Sequence, residues 1–186
     1  MSDELRLDKR ALGRLWAEIL RADAGESARN RAIWSTGRSR ASEYLGPVRD
    51  CLDSSSDDVR RAAMLVLVFD FGQRDAGLID RAWAALDSEE RDPGLRTAAA
   101  SCLSSIYGGS MNREVFSRFR ALLERESDGE RVGLRVVLYE ALFKVAGRTK
   151  SEWPLLRMLT AGDPLREVNS VEVDWDEVRA LERELD

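Results

Sequence analysis

The sequence predicts an all-α fold built from helical hairpins in series. Three observations carry that expectation. An apolar run, Ala62 to Phe69, lies between helix-starting and helix-stopping residues. A short frame centred on an arginine recurs at Arg29, Arg60, Arg96 and Arg135. An amphipathic helical segment follows each recurrence, and no part of the body needs to be a strand.

The apolar run looks like a strand on its own, because periodicity cannot assign a short run. Its flanks decide. Ser56, Asp57 and Asp58 suit an N-cap and a first helical turn, and Gly72 suits a C-terminal stop. Between Asp57 and Phe71 there are fifteen residues with no Gly or Pro. That length gives about four helical turns. The segment is therefore expected to be a helix buried on most of its circumference, as in the middle layer of a stack. Asp70, near its end, is expected to be solvated or turn-bonded.

The recurrence sets the architecture. "DDVRRAA" (57–63) is echoed by "DPGLRTAA" (92–99), by the weaker "GLRVVL" (133–138) and by "SARNRA" (27–32). The arginines are spaced by 31, 36 and 39 residues. Gly72, Gly108 and Gly147 each fall 12 residues past their arginine and close those leading helices, while Gly37 closes the first one early. The trailing helices read "ASEYLGPVRDCL" (41–52), "AGLIDRAWAAL" (76–86), "NREVFSRFRALL" (112–123) and "SEWPLLRML" (151–159). An opening helix over about Asp8 to Arg21 carries Leu12, Leu15, Trp16, Ile19 and Leu20 on one face and is expected to cap the array.

The pairing resembles a HEAT-repeat array. The residues that carry the resemblance are Asp92, Leu95, Arg96 and Ala99 in one repeat and Asp57, Val59, Arg60 and Ala63 in another. It covers roughly residues 27 to 160. The resemblance implies a right-handed α-solenoid of about four hairpins, with the Asp and Arg linking neighbouring repeats. It implies no particular chemistry. The solenoid is expected over residues 1–160, with 161–186 as a separate acidic tail.

Composition narrows the function. The chain has 186 residues and a net charge of −5. Residues 161–186 hold nine acids and three arginines, so the rest of the chain stands at +1. A global basic field of the kind that gathers nucleic acid is absent. No run of 18 apolar residues exists, and the charged "MSDELRLDKR" start lacks an apolar signal core, so neither a membrane span nor a secretion signal is expected. Cys51 and Cys102 stand far apart in no motif and are expected to be free, buried thiols in a reducing, cytoplasmic setting.

There is no histidine. Histidine-based nucleophile activation and histidine-containing metal sites are thereby excluded. No catalytic residue, metal site or cofactor is expected. "YGGS" (107–110) lacks the Lys-Ser/Thr of a phosphate loop and is read as an inter-helix turn. The pairs Asp57–Asp58 and Glu89–Glu90 are read as capping and helix-dipole residues. Arg60, Arg96 and Arg135 recur at one internal position and are read first as repeat-stabilising contacts. Trp16, Trp34 and Trp153 are expected in the core.

The trailing helices hold the candidate site. Aligning Leu52, Leu86 and Leu123 brings Val48, Ala82 and Phe119 into one buried column and Leu45, Ile79 and Phe116 into another. Arg49, Trp83 and Arg120 then share a column, flanked by Arg81 and Arg118. In HEAT arrays the trailing helices line the concave side. One reading is a groove with an Arg–Trp–Arg strip, since Arg and Trp dominate binding hot spots. The other is that Trp83 packs between repeats and the arginines are solvated. Residues 174–186 read as a helix capped by Asp174, with Val178, Leu181 and Leu185 as a narrow stripe, preceded by an alternating segment at 170–175. The acidic tail is expected either to cap the array or to lie over the arginines and compete with an acidic partner.

The leading functional expectation is a non-enzymatic module that binds a protein partner, as adaptor, regulator or toxin-neutralising protein. The alternative is a HEAT-like nucleic-acid-binding or DNA alkylation-repair glycosylase-type protein, with Asp80, Arg81 and Trp83 drafted as its site. The near-neutral body speaks against that, because phosphate binding needs several placed cations. A small-molecule HEAT protein of the bilin-lyase kind has only the fold in its favour.

Overall fold

The computed structural model describes Trp16, Leu20 and residues 24–40, 42–88, 92–126, 132–154 and 172–185. Among these residues the secondary structure is helical, with no strand. Trp16 and Leu20 are both helical, and Leu20 is buried. The rest of the expected opening helix lies outside the described residues, as do Glu89–Glu90. The chain falls into two compact units, 1–81 and 82–186.

In the first unit, α1 spans Glu26–Ser39 and buries Ala32, Ile33, Thr36 and Gly37. Gly37 does not end this helix, contrary to the sequence reading. The left-handed residue at its end is Arg40, with φ 49°. Gly37 is used for its missing side chain instead: a Cβ there would overlap the Asp70 carboxylate and the methyls of Val66. A helical glycine can permit close approach as readily as it can stop a helix, and local sequence does not separate the two.

The trailing segment of this pair is broken into a 3₁₀ turn (Ser42–Tyr44), α2 (Leu45–Asp50) and a second 3₁₀ turn (Cys51–Asp53). Pro47 sits in the first turn of α2, where its absent N–H removes no intrahelical bond.

Helix α3 (Asp57–Leu65) begins on Ser56, whose hydroxyl accepts from the Val59 N–H. The helix then widens into a π-turn over Val66–Asp70, with the Phe71 N–H donating to the Val66 carbonyl five residues back. Gly72, at φ 66°, follows. Val59, Ala62, Ala63, Met64, Val66, Leu67 and Val68 are buried, which agrees with a helix covered on most sides. Its wet stripe is narrower in polarity than expected. Asp58 and Arg61 pair there, and Leu65 and the 52% exposed Phe69 continue the same line. Asp70 is half-buried against α1. Trp34 is 39% exposed rather than a core residue.

Helix α4 (Ala76–Asp87) carries the boundary between the units within its length. The second unit continues with α5 (Pro93–Ile106), α6 (Arg113–Arg125) and α7 (Val132–Val145). Asp92 caps α5 by accepting from the Leu95 N–H at 3.0 Å, and Asn112 caps α6 by accepting from the Val115 N–H at 3.0 Å. Helices α5 and α6 both pack on α7. Three small residues in a row, Ala98, Ala99 and Ala100, are all buried in α5, which lets neighbouring backbone approach closely. Phe116, Phe119, Leu122 and Leu123 fill the core from α6, and Leu138, Leu142 and Phe143 fill it from α7. Burial of each such side chain contributes about 1.5–3 kcal/mol.

The "YGGS" turn closes the far end. Gly109, not Gly108, takes the left-handed conformation, at φ 70°. The Gly109 N–H donates to the Lys144 carbonyl at 2.7 Å and the Met111 N–H to the Val145 carbonyl at 3.0 Å. Both carbonyls belong to the last turn of α7, which has no intrahelical donors of its own. Gly147, at φ 72°, ends that helix. Of the expected trailing helix at 151–159, a 3₁₀ turn at Lys150–Glu152 and the helical Pro154 are described. Trp153 is half-buried; its indole N–H donates to the Arg148 carbonyl and Lys144 lies 4.5 Å over its ring. The last helix, α8, spans Trp175–Arg183, capped by Asp174 as the sequence indicated.

The frame arginines are built into the packing. Arg96, at 1% exposure, donates through Nε to the Leu86 carbonyl at 3.0 Å and through Nη2 to Glu126 at 2.6 Å. Arg135 donates to the Glu126 carbonyl at 2.6 Å. Two successive leading helices thus hold the C-terminal end of one trailing helix, where exposed carbonyls favour cations. Arg29 reaches the end of its own trailing segment, with Nη2 3.7 Å from the Cys51 sulfur. Arg60 pairs with Asp57 one turn earlier in α3.

Arg96→Met should destabilise the protein by about 3 kcal/mol, because it strands the part-buried Glu126 carboxylate and the Leu86 carbonyl. Urea denaturation measures this, and a loss below about 1 kcal/mol would assign Arg96 a lesser role. Both cysteines are buried thiols that form no disulfide. Burial pushes the Cys102 thiol up to about 12 and raises Cys51 despite the opposing Arg29 guanidinium. Neither should react with a thiol reagent in the native protein at pH 8, and both should react in denaturant.

Candidate functional site

The five residues singled out on the trailing helices divide between the two units, and each set stands by itself. In the first unit, Arg49 of α2 forms a two-pronged pair with Asp75, Nη1 to Oδ1 at 2.8 Å and Nη2 to Oδ2 at 2.6 Å, and also reaches Gln73 at 3.3 Å. Asp75 accepts from the Leu78 N–H at 3.3 Å, so it starts α4 while holding Arg49. The Arg49 hydrogen bonds hold the Asp75 carboxyl below the usual carboxylate range, against a weaker opposing effect of burial. The same pair raises Arg49. Arg81 of α4 grips Asp53 with two bonds of 3.1 Å. Both pairs meet beside Gly77, where a Cβ would lie 3.5 Å from Arg81 Nη1 and 3.5 Å from Asp75 Oδ1. Arg49 and Arg81 therefore belong to one polar patch.

In the second unit the structure brings Trp83, Arg118 and Phe119 together. Trp83 is buried, at 7% exposure, with its ring centroid 5.2 Å from that of Phe119. The Arg118 guanidinium stacks 3.9 Å from the Trp83 centroid and pairs with Asp87. A planar guanidinium on an indole face combines cation–π attraction with dispersion. Trp83 thus faces the core, not open solvent, and Arg118 covers it. Arg120 lies farther along α6. It donates to Glu124 at 2.9 Å and pairs with Glu182 of the tail helix. Glu124 first, then Glu182, raise its pKa.

No family model matches the chain, and no curated sequence matches it significantly.

The arrangement has a regularity that the arginine columns hid. Each aligned last leucine, Leu52, Leu86 or Leu123, is followed directly by an acid: Asp53, Asp87 or Glu124. Arg81 takes Asp53, 28 residues earlier, and Arg118 takes Asp87, 31 residues earlier. The flanking column is therefore a series of ion pairs between successive trailing helices. The sequence signal was present in the acids, which the alignment of basic and aromatic residues left aside. Asp80 is exposed. Among the described residues no group of three or more His, Cys, Asp or Glu could hold a metal ion. No described helix is long and apolar enough to cross a membrane.

The Asp75 carboxylate gives a pH signature. Its folded pKa is depressed, so its contribution is present above the unfolded value near about pH 4 and is lost as pH falls through the lower folded value. Asp75→Asn keeps the helix cap and removes the charge. It should cost up to about 1 kcal/mol at pH 7, since the pair is solvent-exposed, and progressively less as pH falls below about 4. Denaturation curves across that range check it.

Proposed function

We propose that this chain is a non-enzymatic protein-binding module, an α-solenoid of HEAT-like hairpins that engages an acidic protein partner through its trailing helices. The proposed role is that of an adaptor, regulator or toxin-neutralising protein in the cytoplasm. The observation that carries this reading is the Arg118–Trp83 stack. It is a cation held flat against a buried indole, with nearly half of the Arg118 side chain still open to solvent. Such a group needs little further ordering to meet a partner's carboxylate, and Arg and Trp are the side chains most often found at binding hot spots. Arg81, Arg49 and Arg120 are likewise held by neighbouring carboxylates and partly open.

Charge balance speaks against phosphate binding. Outside residues 161–186 the chain stands at +1, whereas a nucleic acid needs several placed cations along its backbone. The absence of histidine agrees with a binding role rather than acid–base or metal chemistry.

Affinity capture from the native host tests the reading. Arg118→Glu should lower recovery of a specific partner about tenfold or more, and Arg118→Lys should recover only part of it, because an ammonium cannot stack or fork in the same way. Undiminished capture by Arg118→Glu and by Trp83→Ala would overturn the proposal. Binding to duplex DNA at low salt should be absent.

A further inference from the structure

The tail helix sits on the second unit as a bound ligand would. Its apolar side is small: Val173, Val178 and Leu181 are buried, and α8 lies against α7. Its acidic side is matched group by group. The Tyr139 hydroxyl of α7 accepts from the Asp174 N–H at 3.2 Å and lies 3.4 Å from a Glu177 carboxylate oxygen. Glu182 pairs with Arg120 of α6, and Glu184 pairs with Arg148, just past the end of α7. Arg120 and Arg148 each remain about one-third exposed beneath these carboxylates.

Two features make this docking exchangeable. Nine helical residues are fewer than an isolated helix needs to persist in water, so α8 is ordered by what it lies on. Its hold rests on three buried apolar side chains, the Tyr139 hydroxyl and two partly solvated ion pairs, whereas α5 and α6 are locked to α7 by extensive packing.

We propose that Tyr139, Arg120, Arg148 and the adjoining apolar face of α7 form a docking site for an acidic amphipathic helix of a partner protein, and that α8 is its resident occupant. The pattern of α8 states what the partner presents. It carries apolar residues three apart, like Val178 and Leu181, with acids one before the first and one and three after the second, like Glu177, Glu182 and Glu184. The partner helix displaces α8 and takes over Arg120 and Arg148. This deepens the proposed protein-binding function and rests on it, but Tyr139 and Arg148 belong to this site alone.

The test uses the full chain and a fluorescein-labelled peptide of residues 172–186 as the probe. In the wild type the tethered tail occupies the site at high effective concentration, so added peptide should bind weakly. In the full-length Val178→Asp/Leu181→Asp variant the tail no longer competes, and the peptide should bind at least tenfold more tightly. Adding Arg148→Glu should abolish that gain, and a peptide with Glu184→Arg should restore it. Helical circular dichroism reduced by no more than the nine residues of α8, with continued protection of Cys102, establishes that the variant is folded; Glu182→Arg/Glu184→Arg is the milder release variant if it is not. Peptide affinity equal in released and wild-type chains, or indifferent to Arg148→Glu, would overturn the docking site. A concentration-dependent dimer that the release variants disperse would also overturn it, by assigning the surface to a second copy's tail. Capture sensitive to Arg118→Glu alongside either result would leave the broader binding function standing.

Discussion

The buried guanidinium of Arg96 is the interaction on which the second unit depends. It stands inside a leading helix, out of water, and answers two acceptors that no apolar side chain could satisfy. One is the Leu86 carbonyl at the end of α4, and the other is the Glu126 carboxylate past the end of α6. Arg135 then takes the Glu126 carbonyl from the next leading helix. A buried ion pair adds little net stability compared with hydrophobic residues of the same shape, but it is costly to misalign. Such a pair favours registry, because Arg96 meets both acceptors only when α5 sits at one height between the ends of α4 and α6. The alanines of α5 require that accuracy, since close-packed small residues gain contact only when the neighbouring helix is in step.

That constraint explains the division of labour between the arginines. Arg96 and Arg135, in leading helices, hold the ends of trailing helices. Those in trailing helices, Arg49, Arg81, Arg118 and Arg120, stay at the surface and hold carboxylates. A surface pair in water is weak and can be remade with another acid at small cost. The proposed function uses this second set, and Arg120 already holds two acids at once, Glu124 of its own helix and Glu182 of the tail helix.

The helical class, the helix starts and the buried leading helices were legible because they rest on local signals. Ser56, Asp92, Asn112 and Asp174 are capping residues by chemistry, and the structure uses Ser56, Asp92, Asn112 and Asp174 as N-caps. The long-range features were not legible. Gly37 reads as a stop, yet its position is set by Val66 and Asp70 about thirty residues away. The π-turn at Val66–Asp70 leaves no mark in composition, because it arises where a helix meets its neighbour. Trp83 and Arg118 share the candidate site, but the alignment placed them in adjacent columns and could not show that one covers the other. The identity of the acids opposite each arginine depended on pairs 28 and 31 residues apart.

The acid that ends one trailing helix and the arginine within the next form a link whose two halves lie on different hairpins. Removing either half therefore leaves a lone charge on the other hairpin, so a substitution in one hairpin is felt at the border of its neighbour.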